Sequence, residues 1–274
     1  MKGNKIALIL EGGAMRGAFA KGVLDCFKQN NMEFPYIIGV SAGAITGFEF
    51  ASGINFDINK LFGSFSQNME LLKNSSEPLN LVEMVENVFS LPEEYNVKDS
   101  FEVSAVSLLD GSVRYFSLSD KNDMKFAIDR VIASSSLPDM AKPVVIDNIP
   151  YYDGGMYNTN PIDRAIELGY EKFVVVLTKN RGYRRENSNP SEIVKNALRD
   201  FPKFLETMCN EKERYNNSLN LIDDLENKNK AVVLAPVNPL KFKSFTTNTQ
   251  DVIDLYKEGY QLALQKIEEV KKLF

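Results

Sequence analysis

Residues 5–20 have the sequence KIALILEGGAMRGAFA, in which an apolar run is followed directly by a pair of glycines. The run at residues 5–10 is short and bounded by Glu-Gly-Gly, a pattern that predicts a buried strand. A helix is predicted after Gly12 and Gly13, because the apolar residues that follow recur on one helical face. These residues are Phe19, Val23, Leu24 and Phe27.

The same order of elements repeats further along the chain. Residues 36–40 predict a second buried strand, and the small residues over 42–51 predict a helix that packs closely against its surroundings. Strand, turn and helix repeated in this way favour a three-layer α/β/α fold around a mostly parallel central sheet. Further strands are predicted at residues 101–108, 112–118, 144–146, 173–178 and 231–235.

Two other parts of the chain depart from this pattern. Residues 54–91 carry two apolar helical stripes, which predict two helices that either form a cap over the sheet or pack as part of the core. After residue 178 the sequence becomes polar and basic, and we expect a boundary there between residues 1–178 and a mostly helical C-terminal segment, residues 179–274. Within this segment, helices are predicted at residues 190–208 (capped by Asn189), 211–227 and 250–273.

The composition excludes several kinds of site. The 274 residues contain no histidine, which rules out Ser-His-Asp catalysis and histidine-ligated metal centres. Cys26 and Cys209 are too few for a cysteine-rich metal cage or a disulfide framework, so we expect no metal ion and no cofactor. A net charge of −5, without a large basic patch, argues against nucleic-acid binding.

The sequence also bears on location. No apolar run is long enough for a signal-peptide core or a transmembrane helix. We therefore expect a soluble, cytoplasmic protein whose contact with membranes is peripheral. Four basic residues of the loop after residue 178 either face solvent or meet anionic lipid headgroups. They are Lys179, Arg181, Arg184 and Arg185.

Residues 39–43, GVSAG, form a G-x-S-x-G motif between a predicted strand and a predicted helix. This is the context of a nucleophile elbow, a sharp turn that exposes the serine hydroxyl. Gly39 and Gly43 leave room where side chains would collide, and the helix start offers a free backbone N–H. Ser41 is therefore the candidate nucleophile, and the alternative is a tight turn with a structural serine.

A serine nucleophile needs a base. The chain has no histidine, and no serine is followed three residues later by lysine, which excludes a Ser-x-x-Lys arrangement. A carboxylate is the leading option, because burial can raise its pKa toward neutrality. Asp153, which precedes Gly154 and Gly155, is placed at the end of an element, where catalytic groups tend to lie, and an ordinary Asp-Gly turn is the alternative.

The glycine-rich residues 11–17, EGGAMRG, follow the first predicted strand. Consecutive small residues entering a helix expose N–H groups that hold a phosphate or a developing oxyanion. Nucleotide binding is disfavoured, because Gly17 is followed by Ala18 and Phe19 rather than by Lys-Ser/Thr. Ala14 also stands where the dinucleotide fingerprint requires glycine.

Taken in order, these motifs resemble the patatin-like phospholipase family. The resemblance rests on residues 12–17, 39–43 and 153–155, together with the Ala/Ser-rich residues 133–138. It covers about residues 5–178 and implies a patatin-like catalytic domain over residues 1–178. Residues 179–274 are similar to an accessory segment of bacterial members, without catalytic motifs of its own.

The resemblance implies a Ser-Asp dyad, in which Ser41 is the nucleophile and Asp153 accepts its proton. The family pattern has glycine at the position of Ala14, and alanine supplies an N–H but disfavours a positive φ. Arg16 and Gly17 would support the loop, and Arg16 would brace it or counter negative charge there. The implied oxyanion hole consists of the backbone N–H groups of Gly12, Gly13 and Ala14.

The activity that the resemblance implies is hydrolysis of lipid acyl esters through an acyl-enzyme. Two alternatives stay open from the sequence. One is an esterase or acyltransferase that uses the same dyad on small soluble acyl esters. The other is a lipid-binding protein without catalytic activity. The sequence predicts no particular oligomeric state.

Overall fold

The computed structural model describes residues 5–54, 81–82, 95–97, 100–119, 123–186, 189–246 and 248–274. In these residues the strands are β1 (Ile6–Leu10), β2 (Tyr36–Gly39), β3 (Ser100–Ser107), β4 (Val113–Ser117), β5 (Val144–Ile146), β6 (Ile149–Asp153), β7 (Lys172–Val176) and β8 (Ala231–Leu234). The first helices are α1 (Gly17–Gln29), α2 (Ala42–Ser52), α3 (Met124–Ala133) and α4 (Ile162–Glu167). They are followed by α5 (Glu192–Ala197), α6 (Pro202–Cys209), α7 (Glu211–Asn227) and α8 (Thr249–Lys271).

The strands form one 8-stranded sheet in the order β5-β6-β3-β2-β1-β7-β8, with β4 paired to β3. The five strands β3, β2, β1, β7 and β8 are parallel to their neighbours in that order. The remaining strands β4, β5 and β6 pair in antiparallel fashion. The predicted fold class, a mostly parallel sheet with flanking helices and a mainly helical C-terminal segment, is confirmed.

Alternation along β1 shows how the sheet becomes the middle of three layers. Ile6, Leu8 and Leu10 face a core shared with α1, α2, α3 and α8, whereas Ala7 and Ile9 face a second core shared with α4 and α7. Both faces are covered, so every residue of β1 is fully buried.

The C-terminal segment shares this sheet and its core. Strand β8 extends the sheet next to β7, and α8 crosses α1 at very short range. A Cβ atom on Gly22 would lie 2.0 Å from the Tyr256 carbonyl oxygen, and one on Gly259 would lie 2.1 Å from that of Phe19. Only glycine permits this approach. The domain boundary at residue 178 stays a prediction.

Two local predictions were wrong and one strand was not predicted. The helix expected over 190–208 is two helices, because Pro202 begins α6 and cannot continue α5. The cap of α5 is Ser191, whose hydroxyl accepts the Val194 N–H, and not Asn189. Strand β6 was not predicted, and it forms a hairpin with β5 through Asp147 and Asn148, both at positive φ.

The two helices predicted within residues 54–91 lie outside the described residues, apart from residues 81–82, which are helical. Among the helices of the described ranges, none combines the length and apolar character needed to cross a bilayer.

Candidate active site

Ser41 occupies the sharp turn between β2 and α2, with φ 55° and ψ −123°. A residue other than glycine in this conformation is strained, which is typical of a nucleophile elbow. The flanking glycines are sterically required. A Cβ on Gly39 would lie 2.3 Å from the Gly43 carbonyl oxygen, and a Cβ on Gly43 would lie 2.3 Å from that of Leu10.

Strand register brings Asp153 to this turn. Gly39 at the end of β2 pairs with Val103 of β3, and Asp153 at the end of β6 pairs with Ala105 of the same strand. Strand β4 occupies the other edge of β3, so β2 and β6 share one edge and end two residues apart. The Ser41 side chain, just beyond the end of β2, lies close enough to the Asp153 carboxylate to lower the pKa of that group as a hydrogen-bond donor.

The Asp153 carboxylate is almost completely buried, at 1% exposure. Burial raises its pKa from 3.8 to about 7, and hydrogen bonds from the Gly155 N–H and from Ser41 oppose this shift. The Gly155 N–H donates to Oδ1 at 2.7 Å. Desolvation is the dominant cause, and it makes this aspartate a base suited to neutral pH.

The loop predicted to form the oxyanion hole, residues 12–16 (the oxyanion loop), lies against the elbow, since a Cβ on Gly12 would be 3.1 Å from the Ser41 Cβ. The structure corrects the role expected for Gly12, because its N–H donates to the Thr159 carbonyl oxygen at 3.0 Å. Within the described ranges, the N–H groups of Gly13 and Ala14 have no hydrogen-bond acceptor. Of the three amides predicted to form the oxyanion hole, those of Gly13 and Ala14 are therefore free in the described ranges.

The other residues expected at the site have structural contacts. Arg16 is 8% exposed, and its Nη1 donates to the Lys243 carbonyl oxygen at 2.7 Å, which braces the loop. Gly17 allows α1 to begin against α2, because its Cβ would lie 2.7 Å from the Ala42 Cβ. Gly154 allows the turn after Asp153 to approach Ser104, because a Cβ on Gly154 would lie 2.4 Å from the Ser104 carbonyl oxygen.

The turn after α3 connects the two members of the candidate dyad. The Ser134 hydroxyl accepts the Ser41 backbone N–H at 3.0 Å, and the Ser136 carbonyl oxygen accepts the Asp153 N–H at 2.8 Å. These serines lie in the Ala/Ser-rich residues 133–138, and the sequence predicts no individual role for either of them. Their signal was the resemblance of that run alone.

A buried carboxylate behind the loop was also missed. Glu11 is 1% exposed, and its Oε1 accepts the Tyr215 hydroxyl at 2.6 Å. Its Oε2 accepts the Thr178 N–H. Tyr215 is far from Glu11 along the chain and belongs to no motif, so no local signal pointed to it.

The arginines of the basic loop have partners on α7. Arg181 and Arg184 both pair with Asp223, and Arg185 pairs with the buried Glu211. Their charge is balanced by acidic side chains of the protein, and a contact of this loop with lipid headgroups stays a prediction. In the described part of the chain, no group of three histidine, cysteine or acidic side chains is placed to hold a metal ion.

A serine in an elbow beside a buried carboxylate, on a three-layer α/β/α sheet, is the arrangement of a serine hydrolase. The family model described as patatin-like phospholipase matches residues 8–166. The chain belongs to this family, as the sequence motifs predicted. A second family model, a domain of unknown function (DUF6363), matches residues 201–274.

Three individual proteins are similar to this chain. A probable lipid hydrolase, 463L, of Invertebrate iridescent virus 6 is 25% identical over 188 residues, which cover 60% of this chain and 64% of that protein. The uncharacterized protein YjjU of Escherichia coli (strain K12) is 28% identical over 194 residues, which cover 64% of this chain and 52% of that protein. The crystal structure of VipD from Legionella pneumophila matches with a TM-score of 0.49 at 12% identity, over 96% of this chain and 66% of VipD. Each match spans less than two thirds of the similar protein's length.

Proposed function

We propose that this chain is a serine hydrolase that cleaves acyl esters of lipids through Ser41 and Asp153. The observation that carries the proposal is the Ser41 hydroxyl facing a buried carboxylate whose pKa is raised to about 7. Two free loop amides beside the elbow supply the hydrogen-bond donors that acyl transfer needs to stabilise an oxyanion. Membership of the patatin-like phospholipase family supports a lipid ester as the substrate.

The first half of the proposed reaction forms an acyl-enzyme. Asp153 takes the Ser41 proton while Oγ forms a bond to the ester carbonyl carbon, and the carbonyl oxygen becomes an oxyanion. The N–H groups of Gly13 and Ala14 stabilise this oxyanion, each by on the order of 10²–10³ in rate. The tetrahedral intermediate then breaks its bond to the alcohol oxygen, which receives the proton from Asp153.

The second half regenerates the enzyme. Asp153 takes a proton from water as the water oxygen attacks the acyl carbon. The new oxyanion occupies the same two amides, and it collapses with release of Ser41 Oγ, which recovers a proton from Asp153. The products are a carboxylic acid and an alcohol, and the protein returns to its starting state.

The test is turnover of a p-nitrophenyl acyl ester and of phospholipid vesicles by Ser41→Ala and Asp153→Asn. Both variants should lose at least about 10³ in kcat, because dyad members act as a unit. The chain offers a matched control in a second Ser-Asp pair, since the Ser218 hydroxyl donates to Asp163 at 3.2 Å. Ser218→Ala and Asp163→Asn should keep turnover. Near wild-type turnover by Asp153→Asn would contradict the dyad.

The proposal includes the kind of ester, which we propose is a lipid acyl ester rather than a small soluble one. A series of acyl chain lengths, with and without vesicles, separates a lipid hydrolase from an esterase for soluble substrates. We expect rates to rise with chain length and with vesicle presentation. Equal rates on short soluble esters would favour the esterase. A cytoplasmic location and a peripheral membrane contact stay predictions.

A further inference from the structure

The oxyanion loop is fixed by contacts from the C-terminal segment, residues 179–274. The Met15 N–H donates to the Ser244 carbonyl oxygen at 3.1 Å, and Arg16 Nη1 donates to the Lys243 carbonyl oxygen at 2.7 Å. The Thr246 N–H contacts the Met15 sulfur at 3.3 Å. Residues 243, 244 and 246 thus contact two neighbouring residues of the loop, Met15 and Arg16.

A second contact reaches the start of the loop from α7. Tyr215 is 1% exposed, and its hydroxyl donates to Glu11 Oε1 at 2.6 Å. The other oxygen of Glu11 accepts the Thr178 N–H, and the Thr178 hydroxyl donates to the Gly12 carbonyl oxygen at 2.9 Å. This chain of hydrogen bonds connects the C-terminal segment to the residue that precedes the two free amides.

The loop needs such support because its backbone is strained. Ala14 has φ 50°, the left-handed region that an alanine avoids. A conformation of this kind persists only when the surrounding contacts over-determine it. The Ala14 N–H is one of the two amides without an acceptor in the described part of the chain. Relaxation of Ala14 to a negative φ would rotate the Gly13–Ala14 peptide, and with it that N–H, relative to helix α1.

We propose that the C-terminal segment completes the active site by positioning the oxyanion hole, with Tyr215 and the carbonyls of Lys243 and Ser244 as the positioning groups. They hold the loop in the conformation that leaves the Gly13 and Ala14 amides free. This proposal rests on the proposed function, because the oxyanion hole has a role only if acyl transfer occurs. It assigns a task to residues that no catalytic motif covers.

Two variants of the whole 274-residue chain test the positioning. Tyr215→Phe removes one hydroxyl at nearly constant shape, and Arg16→Lys keeps the charge but loses the planar fork that reaches Lys243. Each should lower kcat on a p-nitrophenyl ester about tenfold, a fraction of the loss expected for a whole donor. KM should stay within about twofold, because an oxyanion contact acts in the transition state.

A matched control comes from the same segment. The Tyr256 hydroxyl donates to Asp25 at 2.9 Å, so it also joins the C-terminal segment to a carboxylate near the chain start, but away from the loop. Tyr256→Phe should keep kcat within about twofold of wild type, since the oxyanion contacts are unchanged. The pH midpoint of Tyr215→Phe should also match wild type, because Asp153 is not touched.

Rescue separates positioning from a general loss of stability. Glycine adopts positive and negative φ about equally, so Ala14→Gly removes the strain that the contacts oppose. In that background, Tyr215→Phe should lose only about twofold to threefold in kcat rather than about tenfold. A merely structural role would give the same loss in both backgrounds.

The outcomes distinguish this proposal from the function it rests on. If the wild type does not turn over esters, or if Ser41→Ala retains turnover, the proposed function fails. If the wild type is active through Ser41 while Tyr215→Phe and Arg16→Lys keep wild-type kcat, only the positioning proposal is overturned. Equal kcat losses in Tyr215→Phe and Tyr256→Phe would overturn it as well.

Discussion

Replacing Asp153 with asparagine should stabilise the fold while it removes turnover, and the gain should grow with pH. Burial raises the pKa of Asp153 from 3.8 to about 7, so the folded protein holds this proton more tightly than the unfolded chain does. The associated stability is fully present below about pH 4 and is lost as pH rises through about 7. An asparagine is neutral at every pH and escapes this loss.

The magnitude follows from the size of the shift. A displacement from 3.8 to about 7 corresponds to at most about 4 kcal/mol at about 1.4 kcal/mol per unit, reached near pH 8. At pH 4.5 the same linkage gives Asp153→Asn an advantage of about 1 kcal/mol in the free energy of unfolding. Asparagine can keep the bond that Oδ1 accepts from the Gly155 N–H, so the turn is retained. The melting temperature at pH 8 should rise by up to about 8–16 °C, at about 2–4 °C per kcal/mol.

The assay is urea unfolding of wild type, Asp153→Asn and Ser41→Ala at pH 4.5 and pH 8, followed by circular dichroism. Ser41→Ala is the control, because it also lacks turnover but keeps an ionisable Asp153. Its free energy of unfolding should therefore retain the wild-type pH trend. The reasoning is refuted if Asp153→Asn is less stable than wild type at pH 8, or if its advantage is equal at the two pH values.

Three further predictions concern the same site. The kcat/KM of the wild type should be half-maximal near pH 7 and fall about tenfold per pH unit below it, because Asp153 must be deprotonated to act as the base. A midpoint near pH 4 would contradict this. Ala14→Gly should raise the free energy of urea unfolding by about 1 kcal/mol, since φ is 50° there, and a loss of stability would show that the residue is not strained. Gly43→Ala should lower the free energy of unfolding, measured by thermal denaturation, by at least about 3 kcal/mol and abolish turnover, because the added Cβ would lie 2.3 Å from the Leu10 carbonyl oxygen. Wild-type stability and turnover in this variant would exclude the elbow geometry.

Much of the fold could be predicted because its signals are local. Strand β1 is an uninterrupted apolar run followed by Glu-Gly-Gly, and strand β2 is an apolar run that ends at Gly39. The β3–β4 hairpin has an Asp-Gly turn between alternating strands. Strand β6 escaped prediction because Pro150 weakens the strand pattern, although its carbonyl oxygen accepts the Leu108 N–H. Pro202 marks the break between α5 and α6, because proline can begin a helix but cannot continue one.

The candidate site was predictable where a residue's chemistry is written in its neighbours. Ser41 and Asp153 stand beside glycines that a sharp turn or a close approach requires. Whether an individual backbone N–H is free cannot be predicted from its neighbours in sequence, since the acceptor of the Gly12 N–H is the distant Thr159 carbonyl. The contact between Glu11 and Tyr215 likewise depends on tertiary packing, which no local pattern encodes.

The most direct measurement is mass spectrometry of the wild-type protein quenched during turnover of a p-nitrophenyl acyl ester. The Ser-Asp account predicts one acyl group per chain, located by proteolysis on the peptide that contains Ser41, and a loss of this adduct in Ser41→Ala. Acylation of a different residue would contradict a covalent reaction at Ser41. Full turnover without any acylated peptide would contradict it as well, if the samples are quenched early and the acyl ester is one that is hydrolysed slowly.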